Sequence, residues 1–354
     1  MKCRRLPATR VFSVMIATVW VMCILCEKLW SRPIRKQFSD ESGIRNGKLT
    51  RVTLDNIKFV INEPNRCNPT EEKSAPLFLL VLMHSASGNF EQRERHRFSC
   101  LKVSEVSGKG TASLFLLGES GDETVNSRIK EESGKYKDII MGNFLDSYQN
   151  LTLKTLMGLK WASAFCPLSK YVMKADDDGV INFKNVVNLL STTPSSKYIV
   201  GHLFNKNRPV RDPTNKWFIS EKDYPGLFYP PYLNGIAYVM SGDLAGSLFQ
   251  VSHAVPLFPL EDVYVGMLLE RLRIEAISDP CFIYNNEFND NLCPYLTSCA
   301  VQLKQDPETV FVKCNALAID ANTSCLSVIC YNRFAMIRNK SYPECNGIKY
   351  NHGH

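Results

Sequence analysis

The chain has 354 residues, 45% hydrophobic and 22% charged, enough for one large globular domain or two modest ones with a real core. Its net charge of +7 is concentrated at the amino terminus, where the first 41 residues hold eight Lys or Arg against Glu27, Asp40 and Glu41, a local +5 that leaves only +2 for the rest. That near balance argues against a nucleic-acid surface, which needs a basic stripe on the folded domain.

Val11 to Cys26 is a sixteen-residue apolar run without charge, preceded by Lys2, Arg4, Arg5 and Arg10. It is shorter than the ~20 residues of a typical membrane span but near the lower end of the range, and it overlaps the h-region of a signal peptide. No small-x-small cleavage site follows, because the run continues into Glu27-Lys-Leu-Trp30. The reading is an uncleaved signal anchor at 11–26 behind a cytosolic tail at 1–10. Lys28, Arg32, Arg35 and Lys36 balance the first basic cluster, so charge does not fix the orientation. Residues 27–75 are polar and largely aperiodic, as in a stem, and 76–354 would form a lumenal domain. Ten of the thirteen cysteines, from Cys67 to Cys345, lie beyond the apolar run, an even number that suggests disulfides of unreadable connectivity. The one CxxC, Cys23 to Cys26, falls inside that run and reads as two small apolar residues. Asn150-Leu-Thr152, Asn322-Thr-Ser324 and Asn339-Lys-Ser341 are candidate glycosylation sequons.

Leu77 to Met83 is a continuous apolar run expected to form a strand buried on both faces, followed by a turn with Ser85, Ser87 and Gly88. A charged helix is expected over Glu91 to Arg97, then strands over Ser113 to Leu117 and Tyr136 to Met141. Between Asn150 and Cys166, apolar residues recur at helical spacing and predict one buried stripe, with Trp161 in the core. The strand from Tyr171 ends in three adjacent carboxylates, Asp176, Asp177 and Asp178, and leads to a helix over Asn182 to Leu190 and a strand over Lys197 to Gly201. This rhythm predicts an α/β fold, a mostly parallel sheet flanked by helices. Arg208 to Tyr232, rich in proline and aromatics, reads as a long ordered loop of the kind that closes over a substrate. Glu261 to Arg273 carries acidic residues in its first turn and basic ones in its last, the marks of a helix.

The acidic triplet carries the chemistry. Ligands of an open α/β sheet gather outside the carboxyl ends of its strands, and hard divalent ions take one or two carboxylates plus substrate phosphates. A metal-bound nucleotide is therefore the first reading. An ordinary acidic turn is the competing one and, taken alone, the commoner.

Five blocks in order resemble the β1,3-galactosyltransferase family, glycosyltransferase family 31: Phe144-Leu-Asp-Ser-Tyr-Gln-Asn-Leu-Thr-Leu-Lys-Thr155, Lys174-Ala-Asp-Asp-Asp178, Lys216-Trp217, Tyr229-Pro-Pro-Tyr-Leu-Asn-Gly-Ile-Ala-Tyr-Val-Met-Ser241 and Glu261-Asp-Val-Tyr-Val-Gly266. The likeness spans about residues 77 to 285. It departs where the family runs Arg-x-x-Ile-Arg-x-Thr-Trp and this chain has Arg93-Glu-Arg-His96-Arg97-Phe-Ser99-Cys100, and again beyond Asn285.

The resemblance implies a GT-A-type nucleotide-sugar transferase, a single-pass type II protein of the Golgi membrane. It would transfer galactose from a UDP-sugar, with inversion, to a glycan, glycoprotein or glycolipid acceptor through a β1,3 bond. N-acetylglucosamine or N-acetylgalactosamine transfer is the close alternative, and a non-catalytic carbohydrate-binding or chaperone relative the more distant one. By the family's DxD pattern, Asp178 would be the direct ligand of manganese, or of magnesium, with Asp176 and Asp177 placing the ion and the ribose. Asp262 would be the general base, held ionised by the helix amino end, and Glu261 the charge on that helix. Arg93, Arg97 and Lys174 are candidates to contact phosphate, Lys174 alternatively pairing with the carboxylates. His84 and Ser85 are candidates to meet uridine, and Trp217, Tyr232 and Gly235 to shape the pocket.

Overall fold

The computed structural model describes residues 44–45, 48–49, 56–67, 76–98, 104–284 and 298–302. The expected anchor at 11–26, Cys100, Cys293, Cys314, Cys325, Cys330, Cys345 and the sequons at Asn322 and Asn339 lie outside them. Among the described residues no helix is long and apolar enough to cross a membrane.

Two short strands, β1 (Ile44–Arg45) and β2 (Lys48–Leu49), pair with each other. The main sheet begins with β3 (Phe59–Ile61) and β4 (Leu79–His84), after which come α1 (Phe90–Phe98), β5 (Glu105–Val106) and β6 (Lys109–Glu119). Next are α2 (Glu123–Tyr136), β7 (Ile139–Leu145), a 3₁₀ turn (Tyr148–Asn150), α3 (Leu151–Phe165) and β8 (Tyr171–Asp176). The chain continues through β9 (Gly179–Ile181), α4 (Phe183–Ser191), β10 (Ile199–Phe204), β11 (Tyr232–Ser241), α5 (Gly242–Ser252), α6 (Glu261–Leu272), β12 (Ile277–Ser278), β13 (Phe282–Ile283) and β14 (Ala300–Gln302).

In the main sheet the order is β12-β10-β11-β8-β4-β6-β7-β3, with β5 paired beside β6. Strands β7, β6, β4 and β8 run parallel, while β11 and β3 run antiparallel to their neighbours. After β4 the chain moves outward to β6 and β7, then returns to place β8 on the other side of β4. That reversal opens a crevice beyond the carboxyl ends of β4 and β8, where ligands of such sheets bind.

Strand β4 is buried along its whole length, as its unbroken apolar run requires. Because side chains alternate along a strand, Leu79, Val81 and Met83 join Met173, Ala175, Val186 and Val187 in the cluster on one face of the sheet. Helix α3 is buried around most of its circumference rather than along one stripe, since even Thr152, Lys154 and Thr155 are covered, and Trp161 is fully enclosed. Tyr136, expected to open a strand, instead ends α2. Disulfides Cys67–Cys166 and Cys281–Cys299 fasten the segment before β4 to the end of α3, and β13 to the approach of β14.

Helix α5 starts where it does because Gly242 lies against the backbone. A Cβ there would stand 1.9 Å from the Ser169 carbonyl oxygen. Gly242→Ala is expected to cost about 1–3 kcal/mol of stability through overpacking, read as a lower urea midpoint with an unchanged slope.

Candidate active site

Register puts Asp176, the last residue of β8, directly beside His84, the last of β4. Lys174 and Asp176 share one face of β8 by strand alternation. The Lys174 ammonium is buried and bonds Asp176 Oδ1 at 2.7 Å, Glu261 Oε2 at 3.3 Å and the Gly235 carbonyl of β11. Lys174 is thus committed to carboxylates, as one of its two sequence readings held. Glu261 also accepts a 2.6 Å bond from the Tyr238 hydroxyl and is buried. It is therefore an internal ion-pair partner rather than a solvated helix charge.

Asp262 opens the first turn of α6 beside Gly235. A Cβ on Gly235 would lie 3.4 Å from Glu261 Oε2, 3.6 Å from the Asp262 Cβ and 3.6 Å from Lys174 Nζ. Carboxylate Oδ1 of Asp262 accepts the Val263 N–H at 2.8 Å. The helix amino end was expected to keep its proton affinity low. Instead burial pushes the Asp262 carboxyl up to about 6, with the charge of Glu261 adding to the effect, and the N–H bond only partly offsets them. Burial likewise raises Asp176 to about 7 against the pull of Lys174, although about a third of its side chain (34%) still meets solvent.

Three tyrosines and a tryptophan stand near Asp262. The field of Asp262 reaches Tyr148, Tyr229 and Tyr232, whose hydroxyls are shifted upward first by burial and then, for Tyr148 and Tyr232, by that charge. Trp217, 44% exposed, has its indole beside the Tyr148 hydroxyl, whose upward shift it opposes. Tyr232 accepts from Asn207 at 3.0 Å. Both aromatic residues expected to shape the pocket are therefore near Asp262, Trp217 through Tyr148 and Tyr232 as a buried side chain. The loop expected over Arg208 to Tyr232 runs over residues 205–231, Tyr232 instead opening β11, and is braced by Arg211, which donates to the Ile219 and Tyr224 carbonyls at 2.7 Å each and to Gly226 at 3.3 Å.

Several expectations are corrected. All five N–H groups of Arg93 are occupied, by Glu132, Ser85 Oγ and the carbonyls of Ala86 and Ser87, and the residue is wholly buried. Arg97 is bound to Asp138 at 2.7 and 2.9 Å and to Glu132 at 2.6 Å. Both guanidiniums are thus committed to internal carboxylates. His84 and Ser85 are 4% and 1% exposed, too enclosed to meet a nucleobase. His84 bonds Thr155 Oγ1 through Nε2 at 3.2 Å, and its Nδ1 is without a partner 3.9 Å from Asp176 Oδ1. Burial, reinforced by Lys174 and Lys154, holds that imidazole neutral. Asp177 turns from the crevice toward Asn89, whose amide donates to Oδ2 at 3.0 Å. The Asn150 sequon is tied into the fold, its amide bonded to the Leu145 carbonyl at 2.9 Å and its Thr152 hydroxyl to the Phe258 carbonyl at 2.6 Å.

This leaves Asp176 and the exposed Asp178 at the crevice. Among the described residues no three of His, Cys, Asp and Glu converge into a metal cage. Two carboxylates on a strand-end turn suit a hard ion that arrives with its phosphates, which needs only one or two protein ligands. Sequence reasoning missed Tyr148, Asn89 and Tyr238. Tyr148 and Tyr238 lie inside motif blocks, whereas nothing local marks Asn89.

The galactosyltransferase family model matches residues 91–280, a stretch that contains the aspartate turn, Gly235 and Asp262. Beta-1,3-galactosyltransferase 1 of Mus musculus is 34% identical over 287 residues, covering 75% of this chain and 86% of its own, and the Homo sapiens protein gives the same figures. The chain belongs to the galactosyltransferase family. Beta-1,3-galactosyltransferase 5 of Pan paniscus is 40% identical over 217 residues, covering 60% of this chain and 72% of its own. This galactosyltransferase is a hexosyltransferase in which Asp176 of β8 and Glu261 of α6 share the Lys174 ammonium beside Gly235 of β11.

Proposed function

We propose that this enzyme transfers galactose from UDP-galactose to a carbohydrate hydroxyl with inversion, forming a β1,3 bond, as a type II membrane protein of the Golgi. The observation that carries the reading is the aspartate turn at the topological switch point, with Lys174 of the same strand and Asp262 both against Gly235. The names and identities of the relatives support the sugar and the linkage.

Asp178 and Asp176 would hold a divalent ion, manganese by family analogy, which when bound with the diphosphate supplies Lewis-acid neutralisation of the leaving charge. Asp262 accepts the acceptor's hydroxyl proton on Oδ2, because Oδ1 is committed to Val263. As the acceptor oxygen bonds the anomeric carbon, the bond from that carbon to phosphate breaks and UDP departs with its electron pair. Lys174 binds Glu261 and Asp176 together, so the floor between base and turn does not splay from mutual repulsion. Tyr148 and Trp217, both exposed, provide aromatic faces suited to a sugar ring, while Tyr232 is buried in contact with Phe204.

The test incubates the enzyme with manganese and a panel of UDP-sugars and measures UDP release with and without simple glycoside acceptors. Acceptor-dependent release from UDP-galactose alone is expected. Release only from UDP-N-acetylglucosamine or UDP-N-acetylgalactosamine would replace the donor, and no acceptor dependence would sink the reading. Asp178→Asn is expected to weaken manganese-dependent UDP binding by about 10-fold or more, measured by calorimetry, through loss of a ligand charge.

A further inference from the structure

Helix α1 is attached to the aspartate turn at its middle residue. Asn89, whose carbonyl accepts the Arg93 amide at 3.1 Å, donates its side-chain amide to Asp177 Oδ2 at 3.0 Å. The His96 ring lies with Nε2 3.0 Å from the Asp177 main-chain oxygen. A carbonyl only accepts, so that nitrogen carries the proton and the ring is a donor. His96 is fully buried and meets Phe115 edge-on, with centroids 6.1 Å apart, which fixes its orientation. Burial also holds the ring neutral, drawing its pKa down to about 4. The Asp177 amide in turn donates to the His84 carbonyl at 3.0 Å. Main chain and side chain of Asp177 are therefore both fixed, while the carboxylates on either side of it face the crevice.

We propose that His96, assisted by Asn89, is a positioning residue for the metal-binding turn, fixing Asp177 to helix α1 so that Asp176 and Asp178 are aimed before the ion and diphosphate arrive. The inference rests on the reading of that turn as the seat of the metal-bound donor. Outer partners of metal-binding carboxylates set ligand orientation, and losing one weakens metal affinity without touching the bond-forming groups.

The test compares the full chain with His96→Leu, which keeps bulk but removes the donor, and His96→Gln, whose amide places an N–H near the same point. Calorimetry of UDP binding at graded manganese reads the site, and amide exchange over residues 177–179 in metal-free and nucleotide-free protein reads the clasp. His96→Leu is expected to need about 10-fold more manganese for half-maximal UDP binding, to exchange faster at the turn, and to keep kcat at saturating manganese. His96→Gln is expected to restore both readouts, and Asn89→Ala to shift them in the same direction by less, which covers a Leu variant that fails to fold. Parental exchange and manganese dependence in His96→Leu, or a defect that Gln does not recover, overturns the proposal. If the parent binds no UDP with manganese, the donor reading falls. Amide exchange then decides the clasp by itself, and no difference between parent and His96→Leu overturns it.

Discussion

Asp262→Asn is expected to lower kcat by about 10³-fold while leaving manganese-dependent UDP binding intact, because general-base removal forfeits roughly two to four orders of magnitude. The amide is isosteric and can keep the Val263 N–H bond, so the loss reports proton transfer rather than collapse of the helix start. Parent and variant would be compared by UDP release for rate and by calorimetry for donor affinity. The sign of the pH effect follows from the raised proton affinity. With its pKa lifted to about 6, Asp262 is a base above that pH and a neutral acid below it, so activity falls as pH drops through about 6. Asp176 also titrates high, but a bound cation favours its ionised form, and at saturating manganese the acid limb belongs to Asp262. Asp262→Asn removes that limb from the residual rate. A variant with parental turnover would remove Asp262 from the mechanism.

Glu132→Gln is expected to destabilise the domain by about 3–5 kcal/mol, the cost of leaving buried charge uncompensated. Arg93, Arg97, Glu132 and Asp138 form a buried, formally neutral quartet in which Glu132 bridges both guanidiniums. Substitution leaves two guanidiniums facing one carboxylate. The change is read by urea unfolding at pH 7. Burial alone would raise the Glu132 pKa, yet the bonds from Arg93 and Arg97 hold it below 4.5. Its contribution is therefore complete above the ordinary glutamate range and lost as pH falls through the lower folded value. The parent should lose this share of stability on acidification, and the variant should show a shallower acid slope. Because Arg93 also holds the Ala86 and Ser87 carbonyls, the turn after β4 should loosen with it.

The parts of the fold legible in the sequence are those written in local pattern. The apolar run of β4, the acidic end of β8 and the charge polarity of α6 each announced an element close to its observed bounds. Helix α2 was not foreseen because it is polar, with Ile129 its one fully buried apolar side chain, and because it stops at Lys137 in a left-handed conformation instead of at a glycine. Asp122, whose carboxylate caps the Thr124 amide, was the available signal. Arg93 and Arg97 looked like phosphate contacts because their carboxylate partners are Glu132 of α2 and Asp138 just before β7, a pairing that no local spacing encodes. For Asp262 the sequence displayed the helix end, whereas burial and the adjacent Glu261 outweigh it.

The Arg211 brace gives loop 205–231 a shape of its own, held by its own carbonyls. Exposed Trp217 belongs to that loop, whereas Asp176 and Asp262 stand on β8 and α6. A change of chain within the loop can therefore reposition Trp217 while the strand and helix that carry the carboxylates keep their places.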